Sequence, residues 1–129
     1  MKKQIIITAA VFGALAVIFG AFGAHSLQGM ISSKSLEVWH TAVQYQFYHV
    51  FALLFLSTIA FKPNQVKVIY YLFTLGIVFF SGSLYLLACR DFLNWGWLPI
   101  MGPITPIGGL LFIAGWIFLG LAAFKNKID

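Results

Sequence analysis

The sequence predicts an all-α protein, an integral membrane four-helix bundle with N- and C-termini cytoplasmic. Three observations carry this. Apolar residues make up 61% of the 129 residues and charged residues 9%, where a soluble domain carries about 25% charged residues. The mean hydropathy is +0.94. Polar groups are too few to cover a water-facing surface, and lipid is the solvent that suits such a composition. Finally, four apolar runs match the roughly 20 residues a helix needs to cross the hydrocarbon core. A single domain over 1–129 holds them, with spans at approximately 5–27, 41–61, 68–89 and 105–124.

The first run, Ile5 to Leu27, contains no charge. Lys2 and Lys3 before it and the small residues from Ala21 to Ala24 resemble a secretory signal. Its apolar part exceeds 20 residues, however, whereas a signal core has about 7–15, so a retained span is expected. Ala9, Gly13, Ala16, Gly20 and Ala24 recur at helical spacing and let another helix approach closely, in a bundle or an oligomer.

The second helix is expected to start after Ser35 as N-cap, with Glu37 in its first turn, and to end at Phe61. It would be about 39 Å long against a core of about 30 Å, so its start lies among the headgroups. The third run is Val68 to Cys89. The fourth, from Thr105 to Phe124, carries Gly108, Gly115 and Ala122 as its small face. Charges and breakers fill the gaps, Gln28 to Lys34, Lys62 to Gln65, and Arg90 to Pro103. The last gap reads as a tight re-entry into the membrane with proline at the helix start; its alternative is a lid over the outer end.

Orientation follows from the basic residues. Lys2, Lys3, Lys62, Lys67, Lys125 and Lys127 fall on one side, and Lys34 and Arg90 on the other. The side with six of the eight is expected to be cytoplasmic. Trp39, Trp95 and Trp97 then belong at the outer interface, and Tyr70, Tyr71 and Phe124 near the inner one. The net charge of +5 sits at chain ends and in gaps. It forms no stripe that could track phosphates, so no nucleic-acid partner is expected.

The polar residues gather in the outer half of the spans. His40, Thr41, Gln44 and Tyr48 share one arc of the second helix, extended by Tyr45 and His49, while Gln46 points elsewhere. Glutamine and histidine are unfavourable in hydrocarbon, so this arc is expected to face protein or water. Ser81, Tyr85 and Cys89 recur every four residues on the third span, with Ser83 off that face. His25 closes the first span. The expected site is an outward-facing polar pocket of His25, His40, Gln44, Tyr48, His49, Ser81 and Tyr85. His49, near the midplane, is its strongest member. The same residues read structurally are interhelical hydrogen bonds that hold the bundle, each worth about 0.6 kcal/mol.

Several chemistries lack their residues. No Asp, Glu, Lys or Arg lies within a span, as a proton-coupled pump would need. Four-helix exporters of the small multidrug resistance type rely on a glutamate in the first span, and none stands there. No Ser-His-Asp set, phosphate loop or HExxH occurs. No catalytic residue is named, and an enzyme is not expected. The lone Cys89 can form neither an internal disulfide nor a cysteine-based metal site. His40 and His49, nine apart, cannot ligate one iron together. His25 with His40 is the pair open to haem, although no cofactor or metal is expected.

Four ordered motifs add a resemblance. Gly20-Ala21-Phe22-Gly23-Ala24-His25, Thr41-Ala42-Val43-Gln44-Tyr45-Gln46 with His49, Phe80-Ser81-Gly82-Ser83-Leu84-Tyr85, and Gly102 to Gly109 resemble the "domain of unknown function 423" family. These are small bacterial inner-membrane proteins, similar to eukaryotic transmembrane protein 256. The resemblance implies a four-span membrane protein and transfers no catalytic residue. The function expected from all this is non-enzymatic, the binding or passage of a small molecule or lipid through the outer pocket. Membrane lipids and a second copy in a homo-oligomer are the expected partners. A structural or assembly subunit and a haem- or quinone-binding redox subunit are the alternatives.

Overall fold

The structure, a computed structural model, describes residues 1–94, 96 and 98–127. The expectation for Trp95 and Trp97 therefore lies outside the described residues. Helix α1 (Lys2–Phe22) runs into a π-helical turn at Gly23–Leu27, and α2 spans Ser33–Leu56. Helix α3 (Pro63–Gly76), a second π-helical turn (Ile77–Ser81) and α4 (Gly82–Ala88) follow without interruption. The one-turn helix α5 (Arg90–Leu93) and a 3-10 turn (Leu98–Ile100) lead to α6 (Met101–Lys125). Among the described residues no strand forms. Lys2–Leu27, Pro63–Ala88 and Met101–Lys125 are each long and apolar enough to cross a membrane. At 24 residues and about 36 Å, α2 is comparably long. His40, Gln44, Gln46 and His49 dilute its apolar character.

The ends of α2 correct the sequence expectation. The cap is Ser32, not Ser35: its Oγ accepts the Ser35 amide at 3.1 Å from an extended backbone. Ser35 lies inside the first turn, and Glu37 moves to the second. The helix stops at Leu56 rather than Phe61. Ser57 and Thr58 turn their hydroxyls back onto the Leu54 and Phe55 carbonyls at 2.6 and 2.7 Å, satisfying acceptors that another helical turn would have used. Helix α6 begins one turn before Thr105. Pro103 sits in its first turn, where no amide is required, and Pro106 sits inside it.

Successive rods pack antiparallel. The small stripe of α1 faces α2: Ala9 and Ala16 are buried, and Gly13 and Gly20 stand against Val50 and Val43. Ala24 faces outward. Helix α6 crosses the α3–α4 rod at Gly108, where a β-carbon would collide with the Phe80 backbone amide and lie 2.7 Å from Phe80 Cα. Phe112 fills the space above Gly76, and Gly115 takes the edge of the Phe73 ring. Val50, Leu53, Leu56, Ile69, Phe73 and Phe112 join the helices in one core. Helix α2 lies centrally in it and contributes nine buried residues, which explains how a long helix with this many polar residues is accommodated.

Candidate functional site

The inward face of α2 carries a ladder of polar contacts to its neighbours. Outermost is Trp39, expected at the lipid interface but buried (5% exposed). Its Nε1 donates to the Phe19 carbonyl at 2.8 Å, and its ring packs against Tyr85 at 4.6 Å. The indole fits because Gly23 has no side chain: a β-carbon there would meet the ring at 2.6 Å. Trp39 thus serves α1 rather than the headgroups.

Below it lies Gln46. Tyr85 Oη donates to Gln46 Oε1 at 2.7 Å, and Gln46 Nε2 donates to the Phe12 carbonyl at 2.7 Å. One amide therefore ties three helices. Beside it Ser81 donates to the Ala42 carbonyl at 2.8 Å. Ser83, expected off the polar face, is also buried and shares a 2.6 Å hydrogen bond with Thr105. Two serines about 200° apart can both be buried because their segment is wedged between α2 and α6. Nearer the other end Thr8 and Tyr70 share a hydrogen bond of 2.8 Å.

His49 is 3% exposed. Its Nδ1 lies 2.7 Å from the Tyr45 carbonyl, and its Nε2 accepts from Trp116 Nε1 at 3.1 Å. A carbonyl can only accept and an indole N–H can only donate, so these partners fix a neutral imidazole protonated at Nδ1. The ring stacks on Phe112 with centroids 3.5 Å apart and meets Phe73 at 5.4 Å. Both nitrogens are engaged within the bundle, an arrangement suited to holding α2 against α6.

Of the seven residues expected in a common pocket, His49, Ser81 and Tyr85 lie inside the bundle. His25, His40, Gln44 and Tyr48 lie on its outside. The residue that joins the inner groups is Gln46, which the arc reading set aside. His40, Gln44 and Tyr48 keep their four-residue spacing but face outward rather than inward, while His49, at the edge of that arc, does face inward. Trp39, Ala42, Leu53 and Leu56 share the face of Gln46 and settle which side enters the core. That apolar company was the available signal. His25 and His40 are both exposed, so neither is held by the core. A separate groove of about 700 Å3 opens at the far end, between the end of α2 and α6, lined by Phe55, Phe61, Trp116, Leu119, Gly120 and Lys127 among others.

The model of the family described as "Protein of unknown function (DUF423)" matches residues 19–109. The chain belongs to the DUF423 family. It is similar to a UPF0382 membrane protein of Staphylococcus haemolyticus, 46% identical over 124 residues, covering 95% of this chain and 97% of the relative. The corresponding Staphylococcus aureus strain RF122 protein is 47% identical over 124 residues, with the same coverage. The UPF0382 membrane protein YwdK of Bacillus subtilis is 44% identical over 126 residues, covering 95% and 98%. No solved structure matches. This member of DUF423 is a membrane protein, and the family match encloses the Trp39, Gln46–Tyr85 and Ser83–Thr105 contacts.

Proposed function

We propose that this DUF423 protein is a non-enzymatic structural or assembly component of the bacterial cytoplasmic membrane. All four long helices cross the bilayer, and both termini are cytoplasmic. The single observation behind the structural role is that the buried polar groups are used up within the bundle, by backbone carbonyls and by side chains of neighbouring helices. Among the described residues Thr74 Oγ1 is the one buried side-chain polar atom without a partner. A ligand pocket needs polar groups that await a ligand; Gln46, Tyr85, His49 and Ser81 already have theirs. Such contacts are worth about 0.6 kcal/mol each, up to about 1.7, enough in sum to set how four helices sit together.

The test is the sign of a stability change. Gln46→Leu and Tyr85→Phe should each lower the melting temperature of the purified protein in detergent. The double variant should show a coupling of about 0.6–1.7 kcal/mol. Residues kept for a ligand are commonly neutral or stabilising when removed from the empty protein, and that outcome would reject the reading.

The groove beside Trp116 favours a second reading, binding of a lipid or similar amphiphile, with Lys127 at its rim and apolar walls from Phe55 and Leu119. An anionic phospholipid retained through purification, seen by native mass spectrometry and lost in Gly120→Leu and Lys127→Ala, would support it. No retained lipid would remove it.

A further inference from the structure

Helix α2 has a second ordered face, directly opposite its buried one. Ser35, Ala42, His49 and Leu56 are buried at intervals of seven, and so are Trp39, Gln46 and Leu53. Across the helix, Glu37, Thr41, Gln44, Tyr48, Phe51 and Phe55 follow one another at spacings of four and three, the seam of a heptad. Lys34 continues it upward. Tyr48, Phe51 and Phe55 are 55%, 62% and 58% exposed. Thr41 is half-buried, its hydroxyl held by the Glu37 carbonyl, and the other members face outward.

This seam is wrong for lipid. Gln44 lies about 16 Å along α2 from its start, well inside the hydrocarbon, where an unpaired amide is strongly disfavoured. The outward faces of α1 and α6 show what lipid contact looks like in this molecule: Val11, Val17 and Ile18, and Ile107, Leu110 and Ile113. The seam on α2 carries an amide and a phenol at mid-helix, with charges above and aromatic residues below, whereas the outward face of α3 keeps its amide and charge, Asn64 and Lys67, in its first two turns.

We propose that this seam is a dimer interface, with α2 of one copy packed in parallel along α2 of a second. Copies inserted the same way round and related by a twofold axis along the membrane normal bring identical residues to the same level. A glutamine both donates and accepts, so Gln44 pairs with the partner's Gln44, as polar residues do across helices in lipid. A single polar layer in a heptad seam also fixes register and copy number. At the outer end Lys34 and Glu37, one turn apart and opposite in charge, pair crosswise with the partner's Glu37 and the partner's Lys34. Tyr48, Phe51 and Phe55 supply the aromatic contact below. A surface that complements itself in charge and hydrogen bonding selects a second copy of this chain over another protein. The inference rests on the structural reading above and adds its partner.

Single cysteines in a Cys89→Ala background, in membranes under mild oxidation, test it. Gln44→Cys and Phe51→Cys should give a band of twice the chain mass. Val17→Cys and Ile113→Cys, equally exposed on other faces, should not. In detergent Gln44→Leu should weaken self-association about 5- to 30-fold while leaving the melting temperature of the dissociated protein unchanged. Monomers at both seam cysteines overturn the interface, and so does equal cross-linking at the control positions. An adduct of another mass assigns the seam to a different protein. Blocking of Gln44→Cys by a membrane-impermeant maleimide instead of cross-linking makes it a water-lined face. The melting temperature of Gln46→Leu judges the structural reading separately: its loss with a monomeric seam removes the dimer alone.

Discussion

Gly108 sits at a close backbone approach, where α6 meets the π-helical turn before α4. A β-carbon there strikes the Phe80 backbone, which cannot move without separating two helices. Gly108→Ala should therefore cost about 1–3 kcal/mol, read as a lower melting temperature in detergent. Gly120, in the same helix, has nothing within 4 Å of an added β-carbon. Gly120→Ala should be neutral or stabilise by about 1 kcal/mol through helix propensity. Opposite signs from two glycines twelve residues apart in one helix would separate contact from propensity. His49→Ala belongs to the same scale. Removing a ring stacked on Phe112 leaves a cavity and an unpaired Trp116 N–H, with an expected loss of about 2–4 kcal/mol.

At the scale of the element, α2 is the helix on which the others depend. Its two faces carry a heptad in opposite phases, one buried with Trp39, Gln46 and His49, the other outward with Gln44 and Tyr48. Substitutions on the two faces should separate cleanly. Tyr85→Phe, acting through Gln46, lowers thermal stability, whereas Gln44→Leu lowers self-association and spares the fold of one chain. The π-helical turns serve the same element. The first carries Gly23, which receives Trp39, and the second carries Ser81, which reaches the Ala42 carbonyl. π-helical turns often mark functional positions; here both mark places where a neighbouring helix locks onto α2.

For the whole molecule the consequence is topological. If the side bearing six basic residues is cytoplasmic, a fluorescent protein fused after Asp129 should fold and emit, and alkaline phosphatase fused there should stay inactive. The reverse pattern would place the carboxyl end outside and invert the proposed orientation, with Gln44 still at mid-helix. Because both copies of a dimer insert identically, the parallel packing of α2 does not depend on which side proves cytoplasmic.

Read residue by residue, the chain already carries the all-α class, the helical regions, membrane residence and the small faces of α1 and α6. Each follows from composition and from a period that every residue obeys regardless of its neighbours. It also located the polar residues of α2 and their four-residue spacing. Packing against the neighbouring helices set which way they face. Gln44 and Gln46 are alike in chemistry, and a helix rotated by about half a turn presents either one inward; the apolar Trp39, Ala42, Leu53 and Leu56 on the Gln46 face are the pointer to its side that the sequence carries. The choice fell to Gln46 because Tyr85 and the Phe12 carbonyl stand where its amide arrives, and because Trp39 finds room above Gly23. Those partners lie 39, 34 and 16 residues away in the chain. Local pattern fixes a helix; the helix's rotation is fixed by groups that only packing brings within hydrogen-bond reach.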